Sequence, residues 1–212
     1  MSSATAGEPR DVVRRWIEAG KDVRSIESDF MQERQLKALR QPLSKPGKLW
    51  FQKPGSFRWQ IGDPPVTVAT RKDGGDLTVL ETREKKARVW SAAKLAGEAA
   101  QKGGQGFALI GAGFAATLEQ FESVFEIKSA KETKEPGVWE VFLDLRDKKA
   151  GLVVKDVVFL IAPADGALRQ FELRMRDGSI LRTRIGAVKK NGNIPEVIFS
   201  ADTTGYEVAQ EP

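Results

Sequence analysis

The stretch Gly47-Lys48-Leu49-Trp50-Phe51-Gln52-Lys53-Pro54-Gly55-Ser56-Phe57-Arg58-Trp59 reads as one β-strand, a basic Pro-Gly turn and a second strand rich in aromatics. Side chains alternate between the two faces of a strand. Leu49, Phe51 and Lys53 therefore share one face, and Phe57, Trp59 and Ile61 share one face of the next strand. The same alternation aims Arg58 at the opposite face, where it is read as a solvated side chain covering neighbouring strand surface. An aromatic face of this kind is either ordinary hydrophobic core or the lining of an apolar concavity; Lys53, a charge continuing the apolar face at a strand end, favours the concavity.

Outward from this hairpin the pattern repeats. Period-two segments begin near Ile26 and are separated by turn formers such as Gly62-Asp63-Pro64-Pro65, Asp73-Gly74-Gly75, Pro136-Gly137, Asp165-Gly166, Asp177-Gly178 and Asn191-Gly192-Asn193. Trp139, Val141, Leu143 and Leu145 oppose Glu140, Phe142 and Asp144, while Phe171, Leu173 and Met175 oppose Gln170, Glu172 and Arg174. One face is thus buried and the other solvated. Val157, Phe159 and Ile161 form a further inward set, but Val158 and Leu160 make the second face of that strand apolar too, so something other than water covers it. This spacing predicts an all-β sandwich or barrel.

Helices interrupt it twice. Pro9 opens one, with Val12, Val13, Trp16 and Ile17 on one stripe and Gly20 at its end, which predicts a helix over 10–20 behind a disordered 1–9. Residues 91–122 are Ala- and Gly-rich, with Ser91 and Thr117 as N-cap candidates, and read as short helices joined by a weakly constrained backbone. Their apolar groups Phe107, Leu109, Ile110 and Phe114 suit either a plug that completes the sheet or a movable lid over an apolar cavity. A single domain is predicted over 10–212.

The chain of 212 residues has no His and no Cys, which excludes Cys/His zinc sites, thiol nucleophiles, Ser-His-Asp triads and disulfides. Asp144 with Asp147, and Asp63 near Asp73 and Asp76, could in principle hold a hard cation or act as acid and base, but turn carboxylates usually cap backbone amides. Gly103-Gly104-Gln105-Gly106 lacks the strand and the Lys-Ser/Thr ending of a phosphate loop. The expectation is a non-enzyme with no catalytic residue, metal or cofactor.

Lys and Arg number 34 against 29 acids, a net charge of +5. Arg169, Arg174, Arg176, Arg182, Arg184, Lys189 and Lys190 gather around Phe171, yet base-stacking aromatics must be exposed, and Phe171, Leu173 and Met175 lie on the inward face. Nucleic acid is not expected; a basic patch for acidic lipid or a partner protein stays open. No run approaches the length of a membrane-spanning helix, and Met1-Ser-Ser-Ala-Thr-Ala-Gly7 has no apolar signal core. A protein that is not integral to a membrane is expected.

Gly47-x-Leu49-Trp50-x-x-Lys53-Pro54-x-x-Phe57-x-Trp59, preceded by Phe30-Met31-Gln32, resembles the outer-membrane lipoprotein carrier (LolA-like) family, whose pattern is G-x-L-W-x-x-[KR]-P-x-x-F-x-W after a strand with F-x-Q. The likeness continues at Gly106-Phe107-Ala108-Leu109-Ile110, where the family has an F-x-L-L helix, and more faintly over 199–208. The resemblance implies an unclosed, strongly curved antiparallel β-barrel of about 10–11 strands covered by an N-terminal helix and a helical lid. It further implies an apolar cavity lined by Leu49, Phe51, Phe57, Trp59 and Ile61, a lid carrying Phe107, Leu109, Ile110 and Phe114, and a latch at Lys53, with Arg58 as the second candidate. In the family the position of Lys53 is usually Arg and holds the lid through helix carbonyls; an ammonium lacks the planar fork and should latch less directionally.

By the same resemblance the protein is a periplasmic monomer, its export signal already removed, that carries the acyl chains of lipoproteins or a related lipid. Its partners would be an ATP-driven extraction complex in the inner membrane and a receptor at the outer membrane. The competing reading is a non-transporting module that senses lipid or scaffolds an envelope complex with the same half-barrel.

Overall fold

The computed structural model describes residues 8–95 and 117–211. The expected lid groups Phe107, Leu109, Ile110 and Phe114 lie outside the described residues, as do residues 1–7 of the expected disordered segment.

The strands are β1 (Ser25–Gln35), β2 (Leu43–Gln52), β3 (Ser56–Ile61), β4 (Thr67–Arg71), β5 (Leu77–Glu81), β6 (Lys86–Trp90), β7 (Phe125–Glu132), β8 (Trp139–Leu145), β9 (Val154–Ala162), β10 (Ala167–Met175), β11 (Ile180–Lys190) and β12 (Glu207–Gln210). They form one sheet of twelve strands in the order β12-β6-β5-β4-β3-β2-β1-β11-β10-β9-β8-β7, which does not close. Helix α1 is Pro9–Ala19; α2 (Ala92–Leu95) and α3 (Leu118–Val124) flank the undescribed segment. The protein is thus mainly β with helices, an open sheet. One departure from a purely antiparallel sheet is β12, which pairs parallel to β6. Its four residues are all exposed and carry no apolar alternation, so periodicity does not reveal it.

Two compact units divide the chain; among described residues the first holds 8–22, 33–43 and 117–184, and the second holds 23–32, 44–95 and 185–211.

In the first unit, α1 starts with Pro9 at a position where a missing N–H costs nothing, and buries Val12, Val13, Trp16 and Ile17. Trp16 meets Phe121 and Phe159 edge-on, with centroids 6.0 and 6.4 Å away, and Phe125 packs on Phe159 at 5.4 Å. Thr117 caps α3 as expected, its hydroxyl accepting from the Gln120 amide at 3.2 Å. Arg10 then clamps Glu122 with two bonds of 2.7 and 2.9 Å, tying α1 to α3. The β9–β10 turn abuts the end of α1 so closely that a Cβ on Gly166, which has φ +67°, would sit 2.6 Å from the Gly20 nitrogen. Only glycine fits there.

The outer face of this unit departs from expectation. Register places Phe142 beside Val158, Val158 beside Glu172 and Glu172 beside Arg182 across β8 to β11. Val158 is buried, as its apolar partners require, and Glu172 is buried as well rather than solvated. Arg174 and Arg182 each donate to Glu172, at 2.7 and 2.8 Å, and the Arg174 guanidinium lies over the Phe142 ring. Long cationic side chains thus lay their stems over the apolar row.

Candidate functional site

In the second unit the hairpin motif becomes a continuous apolar face. Leu49 pairs with Trp59 and Phe51 with Phe57 across β2 and β3, and the row from Trp59 continues into Ala69 and Val79. Leu49, Phe51, Phe57 and Trp59 are all buried, none more than 9% exposed, and Ile61 is half-buried opposite Gly47. The two halves of the motif are physically one device. Phe30 stacks on Trp59 with centroids 4.0 Å apart and planes 23° apart, and to do so its ring lies over Gly47, where any Cβ would collide with it. Glycine on a strand lets an aromatic from the neighbouring strand cross its backbone and shield it.

Lys53 departs from the expected continuation of that face. β2 ends at Gln52, and Lys53 begins the turn, half-buried, with its amide donating to the Arg24 carbonyl at 2.8 Å. The segment it was expected to hold lies outside the described residues.

Arg58 does what alternation requires and more than solvent exposure would demand. It leaves β3 on the face opposite Trp59, half-buried, donating from Nε to Gln60 at 2.9 Å and from Nη1 to the carbonyls of Ile198 and Ser200 at 3.2 and 3.3 Å. Burial pushes its pKa below the usual guanidinium value. The expectation of a solvated side chain is corrected: this is a carbonyl clasp, and its partner is the C-terminal segment. That segment runs through a 3₁₀ turn (Glu196–Phe199) that buries Phe199, packs Ala201 and Tyr206 on Val68, Leu80 and Ala87, and ends as β12. One face of β3–β6 is thus closed by chain, and the other carries the aromatics. Sequence reading singled out 199–208 only as a faint likeness; nothing local in it announces that Arg58 would reach its carbonyls.

Residues 21–202 match the family model of the outer membrane lipoprotein carrier protein LolA. The chain belongs to this family. Among solved structures, an uncharacterized conserved protein from Thermus thermophilus aligns over 95% of this chain and 98% of its own at 8% identity and a TM-score of 0.57, which shows the shared fold. A LolA superfamily protein from Nitrosomonas europaea aligns over 92% of this chain and 99% of its own at 10% identity and a TM-score of 0.47. Lipoprotein LppX of Mycobacterium tuberculosis aligns over 88% and 97% at 10% identity and a TM-score of 0.48. No curated protein matches this sequence significantly.

Several turn carboxylates take structural roles, while Gly103-Gly104-Gln105-Gly106 lies outside the described residues. Asp147 accepts from the amides of Lys149 and Ala150, Asp165 from Ala167, Asp177 from Ser179, and Asp76 from Ala92 at the start of α2. Asp144 faces Lys128 at 3.6 Å. Among the described residues no group of three acidic side chains is placed to hold a metal ion, and no helix is long and apolar enough to cross a membrane. Much of the basic strip around Phe171 is internally neutralised: Arg174 and Arg182 by Glu172, Arg184 by Glu33, Arg169 by Asp165 and Lys189 by Glu27.

Proposed function

We propose that this protein binds the acyl chains of lipoproteins, or of a related lipid, on the aromatic face formed by Leu49, Phe51, Phe57, Trp59 and Ile61, and carries them through the periplasm between the inner and outer membranes. The observation that supports this most is the coincidence of the family match with a face whose opposite side is already closed by the C-terminal segment.

The energetics fit a carrier rather than a sink. Each CH₂ moved out of water contributes about 0.8 kcal/mol, so free engulfment of a long chain would bind too tightly for hand-off. Leu49, Phe51, Phe57 and Trp59 are already buried in the protein. A ligand reaches them only by displacing what covers them, and net affinity is the difference between two burials. In this reading Phe107, Leu109, Ile110 and Phe114 supply the lid and Lys53 its latch; an ATP-driven extraction complex loads the carrier and an outer-membrane receptor unloads it.

The test is transfer. Purified protein should move an acylated lipoprotein, or a fluorescent acyl analogue, from donor to acceptor membranes, and Phe57→Asp should abolish both probe binding and transfer. Probe binding without transfer would indicate the sensing or scaffolding module instead, and folded Phe57→Asp with unchanged binding would remove this face from the mechanism.

A further inference from the structure

We propose that one end of the first unit, made by the β1–β2 connection, the β8–β9 connection and the β10–β11 turn, is a docking surface for an anionic lipid bilayer. The three loops adjoin one another. The Arg176 amide donates to the Val153 carbonyl at 2.9 Å and its Nε to the Gly151 carbonyl, while Lys37 lies against Gly178.

Large apolar side chains surface here. Of the seven that are exposed among the described residues, three stand on these loops, Leu152 at 75%, Val153 at 58% and Leu39 at 43%, and Leu43, at 52%, opens β2 where the first connection ends. They are aliphatic tips on two of the connections, with no aromatic anchor among them. A protein partner is typically gripped by a central aromatic or Arg in a packed pocket. A fluid bilayer asks only for apolar tips that enter below cations at headgroup level.

The charge is of the matching sign. Lys37 and Arg40 sit in a run that has no acid between Glu33 and Asp63. Arg146, Lys148 and Lys149 precede Leu152, and Arg176 belongs to the third loop. Against these six bases stand two acids, and both are turned into their own loops: Asp147 accepts from Lys149 and Ala150, and Asp177 accepts from the Ser179 amide and hydroxyl. The end carries a net charge of +4, close to the +5 of the whole chain. Among the described residues no salt bridge engages Arg40, Lys148 or Lys149, in contrast to the paired cations on the outer face of the sheet.

Docking there would bring the protein to a surface where acyl chains are collected or delivered, and to that extent the inference rests on the carrier reading. Its residues are separate from the aromatic face, so the two can fail separately. The full chain is sedimented with phosphatidylcholine vesicles with and without phosphatidylglycerol, over a range of salt. Binding should require phosphatidylglycerol and weaken as salt rises. Lys148→Ser with Lys149→Ser should lower partition about thirtyfold, at roughly one base's attraction each. Leu152→Ser should lower it several-fold while leaving the salt dependence intact. Both variants should keep wild-type binding of an apolar fluorescent probe, whereas Phe57→Asp should lose the probe and keep the vesicles. Equal binding to neutral vesicles, binding that both loop variants leave unchanged, or no vesicle binding at all would overturn the proposal; so would capture of a soluble acidic protein with no partition to lipid.

Discussion

Arg58 holds two segments far apart in sequence, because a guanidinium half out of water stays charged and its N–H groups must find oxygen acceptors in the protein. Arg58→Leu leaves the carbonyls of Ile198 and Ser200 without that donor and should cost about 1–3 kcal/mol in thermal or chaotrope unfolding. Amide exchange over residues 195–211 should rise more than elsewhere. Gly47 makes a sharper case. Gly47→Ala drives a methyl into the Phe30 ring, and overpacking of this kind costs typically about 1–3 kcal/mol. Combining it with Phe30→Leu should recover part of the loss, since the smaller side chain vacates the space while the Gln60 carbonyl, 2.5 Å from the added carbon, stays in place; a double variant no more stable than Gly47→Ala would mean that the Phe30 ring is not the main obstacle. Period two alone puts Leu49, Phe51, Phe57 and Trp59 on one face and Arg58 on the other. That Phe30 reaches across Gly47 to Trp59 is invisible without knowing that β1 lies next to β2, although both halves of the contact stand in the motif.

At the scale of elements, Glu172 links β10 to β11 and back to Arg174. Burial raises its pKa, but the bonds from Arg174 and Arg182 together outweigh burial and hold it below the ordinary carboxylate value. A carboxyl that titrates lower in the native than in the unfolded chain gives stability that is complete above the unfolded range and is lost as pH falls through the native one. Glu172→Gln should therefore lower stability at neutral pH by roughly 1.5–3 kcal/mol, the scale of hydrogen bonds to a charged group, and the gap to wild type should narrow on acidification. A gap that stays constant down to acid unfolding would show that the carboxylate's charge is not what stabilises the pair of strands. Alternation assigned Glu172 to solvent because a strand read alone has no neighbours; its burial comes from Phe142, Val158 and Arg182 in register on three other strands. β12 escaped for the opposite reason, since it has a partner strand and no pattern.

For the whole molecule, the account turns on whether the aromatic face holds a lipid or is simply core. Burial of Leu49 and Trp59 fits both, because a carrier waiting for cargo covers its own site. The measurement that separates them is native mass spectrometry of the protein recovered from its own host, paired with Phe57→Asp. The account predicts that the wild type carries acylated species, which are displaced by an added acyl ligand and are missing from the folded variant. Wild type and Phe57→Asp recovered equally bare, or carrying the same species in equal amount, would contradict it.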